Sequence, residues 1–139
     1  MKIEFFVPEI RGKGRPRLTR NGHAFTDEKT RNYENLVKLL AMQAMEKAGA
    51  TVTDKPVKAT INAYFEIPKS YTKKKVQAII NGEIKPAKPD VDNIIKSLLD
   101  GCNKIIFKDD VQVYSITATK SYITNSEKYG VSFIFEWED

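Results

Sequence analysis

Residues 57 to 67 read Val57-Lys58-Ala59-Thr60-Ile61-Asn62-Ala63-Tyr64-Phe65-Glu66-Ile67, with every odd position apolar and the even ones Lys, Thr, Asn, Tyr and Glu. Side chains alternate across a strand, so this pattern predicts a β-strand with one face in a core and the other outside it. Pro68 closes it. Downstream, Thr72 can cap a short basic helix that runs to about Asn81 and stops at Gly82. Residues 85 to 89, Lys-Pro-Ala-Lys-Pro, are expected to be extended, because proline disfavours helix for itself and for its predecessor. A second helix is predicted from about Val91 to Cys102, with Val91, Ile94, Ile95, Leu98, Leu99 and Cys102 on its apolar face. Two strands follow, near 111 to 121 and 130 to 137, separated by a polar turn around Asn125 to Gly130.

Upstream, residues 2 to 7 read as a short strand, and Arg11 to Gly22 as an exposed loop or irregular hairpin punctuated by glycine and proline. Apolar positions from Tyr33 to Ala48 recur at three and four, predicting an amphipathic helix from about Asp27 to Lys47, with Thr26 as N-cap and Gly49 as stop. The order is β-α-β-α-α-β-β. That order predicts an α+β fold: one domain over residues 1 to 139, a mixed sheet of about four strands, and helices mainly on one face. A length of 139 residues and 41% hydrophobic content are consistent with a single core.

Composition excludes several chemistries. One cysteine and one histidine cannot make a tetrahedral Cys/His zinc site or a disulfide framework. Cys102 fits a reducing compartment, and the opening Met1 to Pro8 has an acidic residue and too short an apolar run for a secretory signal, so a cytoplasmic location is expected. No stretch approaches the roughly 18 apolar residues of a membrane span.

The net charge of +5 is unevenly spread. Residues 1 to 25 carry +4, residues 69 to 88 carry +5, and the remainder is −4. Arg11, Lys13, Arg15, Arg17 and Arg20 are candidates for gripping phosphates, since Arg forks bind them bidentately. The Lys73-Lys74-Lys75 run and Lys88 are further candidates. The alternatives are a solvated loop for the first group and an exposed helix turn for the second. His23 could donate to a phosphate but reads as incidental, and Tyr71 as a packed loop residue; Phe133, Phe135 and Trp137 are expected in the core.

The acidic residues are grouped. Lys88-Pro89-Asp90-Val91-Asp92-Asn93-Ile94-Ile95-Lys96-Ser97-Leu98-Leu99-Asp100 is followed by Phe107-Lys108-Asp109-Asp110. Asp90 and Asp92 stand at a helix start, and Asp92, Lys96 and Asp100 share one stripe. If Asp109 and Asp110, placed directly before a strand starting at Val111, return beside that helix start, three or four carboxylates converge. Like charges that close are unfavourable unless a cation or a proton intervenes, and oxygen-only ligation points to Mg²⁺ or Mn²⁺. The bland reading is an Asp cap at one end and a solvated Asp-Asp turn at the other.

These residues resemble the signature of the RusA family of Holliday junction resolvases: Lys88-Pro-Asp90-Val-Asp92-Asn93-Ile-Ile-Lys96, Leu98-Leu-Asp100-Gly and Phe107-Lys-Asp109-Asp110-Val-Gln112-Val. Lys13-Gly-Arg15-Pro-Arg17 followed by a helix looks like the phage and prophage branch. The resemblance implies a small homodimeric Mg²⁺-dependent endodeoxyribonuclease that makes paired nicks in four-way DNA junctions, with Mn²⁺ able to substitute. By position it implies that Asp90, Asp92 and Asp110 bind metal, with Asp109 ranked below them, and that Lys96 is the catalytic lysine. The alternatives are a non-catalytic DNA-binding protein and a less selective flap or duplex nuclease.

Overall fold

The computed structural model describes residues 1–13, 17–18, 20–22, 24–25, 27–123 and 127–139, with backbone alone described at 17, 18, 24 and 25. Arg15, His23 and Thr26, and the side chain of Arg17, lie outside the described residues.

Strands β1 (Lys2–Val7), β4 (Val57–Phe65), β5 (Val113–Tyr122) and β6 (Gly130–Glu136) form one sheet in the order β1-β6-β4-β5. A two-stranded piece, β2 (Arg17–Leu18) with β3 (Ala24–Phe25), makes the irregular hairpin within the basic segment. β6 pairs antiparallel with β1 and β4, whereas β4 and β5 run parallel. A parallel pair needs a long crossover. Here that crossover carries α2 (Lys73–Ile80) and α3 (Val91–Cys102), so the signature residues lie inside it.

The alternation in β4 places Val57, Ala59, Ile61 and Ala63 in the core, 0–1% exposed, beside Val131, Phe133 and Phe135 of β6. Tyr33, Val37, Ala41 and Met45 of α1 (Glu28–Ala48) and Ile94, Leu98, Leu99 and Cys102 of α3 cover that face. Each fully buried aliphatic side chain such as Leu98 contributes on the order of 1.5–3 kcal/mol. Trp137 joins the same core. The buried residue of α2, Ile79, lies outside this main cluster.

Two helices close on each other through a glycine. A Cβ on Gly101 of α3 would stand 2.6 Å from Val37 Cγ1 of α1, so only glycine permits this approach. The helix ends follow their sequences, with one correction. Gly49 ends α1 at φ 65°, the left-handed conformation that suits glycine. The α1 cap is Asp27, not Thr26: its carboxylate accepts from the Thr30 N–H at 2.7 Å.

The strand expected from Val111 begins instead at Val113, after a 3-10 turn over Asp110–Gln112. The cause is local. Asp109 accepts from the Val111 N–H at 3.2 Å, while the Gln112 side chain accepts from the Asp109 N–H at 2.9 Å, closing a capping box. Among the described residues no helix is long and apolar enough to cross a membrane.

Candidate nuclease site

Three N-caps in this fold have the same extended backbone and different uses. Asp27 caps α1, Thr72 caps α2 by accepting from Lys75 N–H at 3.2 Å, and Asp90 precedes α3 without any side-chain cap bond. Asp90 and Asp92 are exposed carboxylates at the positive end of α3, which favours negative charge there. The helix fixes them through the Ile94 N–H, which donates to the Asp90 carbonyl at 3.1 Å.

The distal acidic pair divides its labour. Asp109 is consumed by the capping box, and its carboxyl is held below the usual carboxylate range, chiefly because the Val111 N–H donates to it. Asp110 turns toward α3, where Lys96 Nζ lies 3.7 Å from its carboxylate and 3.3 Å from that of Asp100. Lys96 thus joins the second acidic segment to the helix that bears the first.

The structure brings Asp100, Lys96 and Asp110 together. Among the described residues, no three His, Cys, Asp or Glu side chains stand close enough together to hold a metal ion. The donor chemistry nevertheless suits a hard cation: the carboxylates of Asp90 and Asp92 have no hydrogen-bond or ion-pair partner among the described residues, and all three proposed ligands offer only oxygen.

The basic residues fall into distinct environments. Lys13, expected to face phosphate, is instead held by Glu34 at 2.5 Å and Asp100 at 3.0 Å. Burial pulls the Lys13 pKa down, but hydrogen bonds and charge from Glu34 and Asp100 outweigh it, so the net direction is up. Its N–H also donates to the Asn93 carbonyl at 3.0 Å, and Ser97 Oγ donates to the Arg11 carbonyl at 2.9 Å. Residues 11 to 13 are therefore fastened along α3. Gly12 fits there because a Cβ would meet Pro89 Cβ at 3.0 Å and Asn93 Cβ at 3.1 Å.

Arg11 is exposed and pairs with Glu9 at 2.6 Å, a surface contact worth little and readily exchanged for phosphate. Arg20 is exposed in the turn between β2 and β3. Lys73, Lys74 and Lys75 form the exposed first turn of α2, with Lys75 Nζ 3.8 Å from the Tyr71 ring centroid. Lys88 lines a cleft of about 550 Å³ together with Ile10, Arg11, Lys13, Lys29 and Asp90. Lys29 was not flagged by its sequence context, which reads as the outward face of an amphipathic helix. Proximity to Asp90 through the fold is what distinguishes it.

Carboxylates left out of helix capping, a lysine between two acidic segments and a cation-lined cleft alongside make a site suited to a phosphodiester. Comparison with known proteins identifies the class more closely. The family described as "Endodeoxyribonuclease RusA" matches residues 8–131, and the chain belongs to that family. Nucleases of this family are generally dependent on divalent metal. A Bacillus subtilis (strain 168) protein named "Uncharacterized protein YqaN" is 36% identical over 116 residues, covering 79% of this chain and 80% of the relative.

Proposed function

We propose that the whole chain, residues 1 to 139, acts as one structure-selective endodeoxyribonuclease domain that resolves four-way DNA junctions by paired nicks in DNA recombination and repair. The observation that carries this reading is the start of α3, where Asp90 occupies a cap position and caps nothing. A helix gives up about 1 kcal/mol when its N-cap side chain makes no bond. Family membership supports the endonuclease reading, and the phage or prophage branch is part of the same proposal.

In this reading the carboxylates of Asp90, Asp92 and Asp110, which do not form a three-ligand cluster in this structure, would draw together around Mg²⁺, with Mn²⁺ able to substitute. When bound, the ion activates water and stabilises charge on the phosphodiester oxygens. The remaining work belongs to the chain. Lys96 is 56% exposed at its side chain, so its ammonium can leave Asp110 and meet the oxygens of a phosphate placed there. Asp100, also bonded to Lys13, keeps Lys96 aimed from one helical turn away. Arg11, Lys88 and the basic hairpin contact flanking phosphates, which position the strand without reading its sequence. Assembly as a homodimer presents two equivalent sites to the two strands of a junction, and action in the cytoplasm completes the reading.

The test is a synthetic four-way junction incubated with and without Mg²⁺ beside a linear duplex. Paired nicks in the junction alone are expected. No nicking of either substrate with Mg²⁺ or Mn²⁺ overturns the enzymatic reading, and equal nicking of both makes the chain a less selective nuclease.

A further inference from the structure

The stretch that carries Asp90 into place has little backbone bonding of its own. Pro86 and Pro89 have no N–H, and among the described residues no backbone hydrogen bond ties residues 84 to 89 to the rest of the fold. Two hydrogen bonds do so from outside. Lys120, near the end of β5 and opposite Ala63 of β4, donates from Nζ to the carbonyls of Ala87 and Pro89, the latter at 3.1 Å. Its ammonium has no carboxylate within ion-pair distance among the described residues, so these carbonyls are its partners. Bonds from a charged donor are roughly twice as strong as neutral ones. On the other side, Gly12 lets the Arg11–Lys13 segment press against Pro89.

We infer that Lys120 is a positioning residue for the reaction: it clamps the Ala87–Pro89 carbonyls to the edge strand and thereby fixes where the Asp90 carboxylate stands. The inference rests on the nuclease reading for its catalytic consequence. Its mechanical part is independent of that reading. Lys120 touches backbone, not substrate, so it acts through the segment it holds. An exchangeable phosphate contact would raise KM on removal, whereas a lost anchor lowers turnover with KM kept.

The experiment uses the full chain with Lys120→Met, which keeps an unbranched apolar stem and removes the donors, and with Lys120→Arg, which restores donors. For Lys120→Met, junction nicking in Mg²⁺ is expected to fall at least about tenfold in turnover, with KM for the junction within about twofold. In the metal-free protein, hydrogen exchange is expected to quicken about tenfold for the amides of Ile94 and Lys13, which donate to the carbonyls of Asp90 and Asn93, and to stay unchanged in β4 and β6. Lys120→Arg recovers most of both. Unchanged exchange at Ile94 and Lys13 overturns the inference, as does unchanged turnover, or a raised KM with turnover kept. If the unaltered chain nicks no junction, the functional reading fails, and exchange still decides whether Lys120 holds the segment.

Discussion

Asp27 and Asp90 begin two helices from nearly the same backbone, at φ −67° and ψ 161° for one and φ −63° and ψ 147° for the other. One carboxylate accepts an N–H of its helix and the other does not. Backbone geometry is therefore not what decides whether an aspartate caps. The surroundings decide: Asp90 is preceded by a proline stretch bound to β5 and Gly12, and a second acid follows two residues later. Asp109 and Asp110 repeat the contrast within one dipeptide, the first closing a turn and the second facing Lys96. A carboxylate used in folding and a carboxylate available for chemistry can be neighbours.

The sharpest way to break this comparison is to remove charge at the uncapped start. Asp90→Asn or Asp92→Asn is expected to lower junction cleavage on the order of a hundredfold or more, since a metal centre supplies several kcal/mol of transition-state stabilisation. Junction binding measured by gel shift should persist and the thermal midpoint should move little. Loss of binding together with loss of folding would give these residues a structural role instead.

Lys13→Met comes next and acts on stability. It leaves Glu34 and Asp100 without their shared cation, at a cost of about 1–2 kcal/mol for a half-buried group, read from chemical denaturation. The folded lysine has a pKa raised above its ordinary 10.5. Its contribution is therefore complete below that value and is lost as pH rises through the folded pKa. The gap between wild type and Lys13→Met should hold steady from neutral pH and shrink in alkali. A gap that widens there would mean that Lys13 is not held by these carboxylates.

Asp27→Ala tests the other half of the comparison. It is expected to cost about 1 kcal/mol, or roughly 3–4 °C in thermal midpoint, with cleavage by the folded protein unchanged. The same substitution at Asp90 should move stability by less than about half as much. Smallest of all, Asp109→Ala should lower stability slightly at neutral pH. Because the folded Asp109 pKa lies below 3.8, that difference is present above the unfolded value and vanishes as pH falls through the folded one. Equal midpoints at neutral pH would show the capping box to be idle.

Much of this architecture was legible because it is periodic. The alternation of β4 and the spacing of α1 and α3 each record a single buried face, so their limits in the sequence fall within a residue or two of those in the structure. Parallel pairing of β4 with β5 was not legible, since nothing local distinguishes a strand that meets its neighbour after a two-helix crossover. The bonds of Lys13 join residues 21 and 87 positions away, and a segmental charge count treats that lysine like any exposed one. Lys120 likewise reads as an ordinary strand residue until the fold sets it beside Pro89. The acidic signature was visible as residues. Which acids are used by turns depended on hydrogen bonds that spacing does not encode.

Cys102 is fully buried on α3, and burial pushes its thiol pKa up. Alkylating reagents react with the accessible thiolate, so in the native chain this sulfur is shielded twice, by access and by protonation. It is also the only sulfhydryl in the sequence. The rate at which a maleimide labels the protein therefore measures how often α3 leaves the sheet. Each variant above carries its own internal clock for that opening, without an added probe.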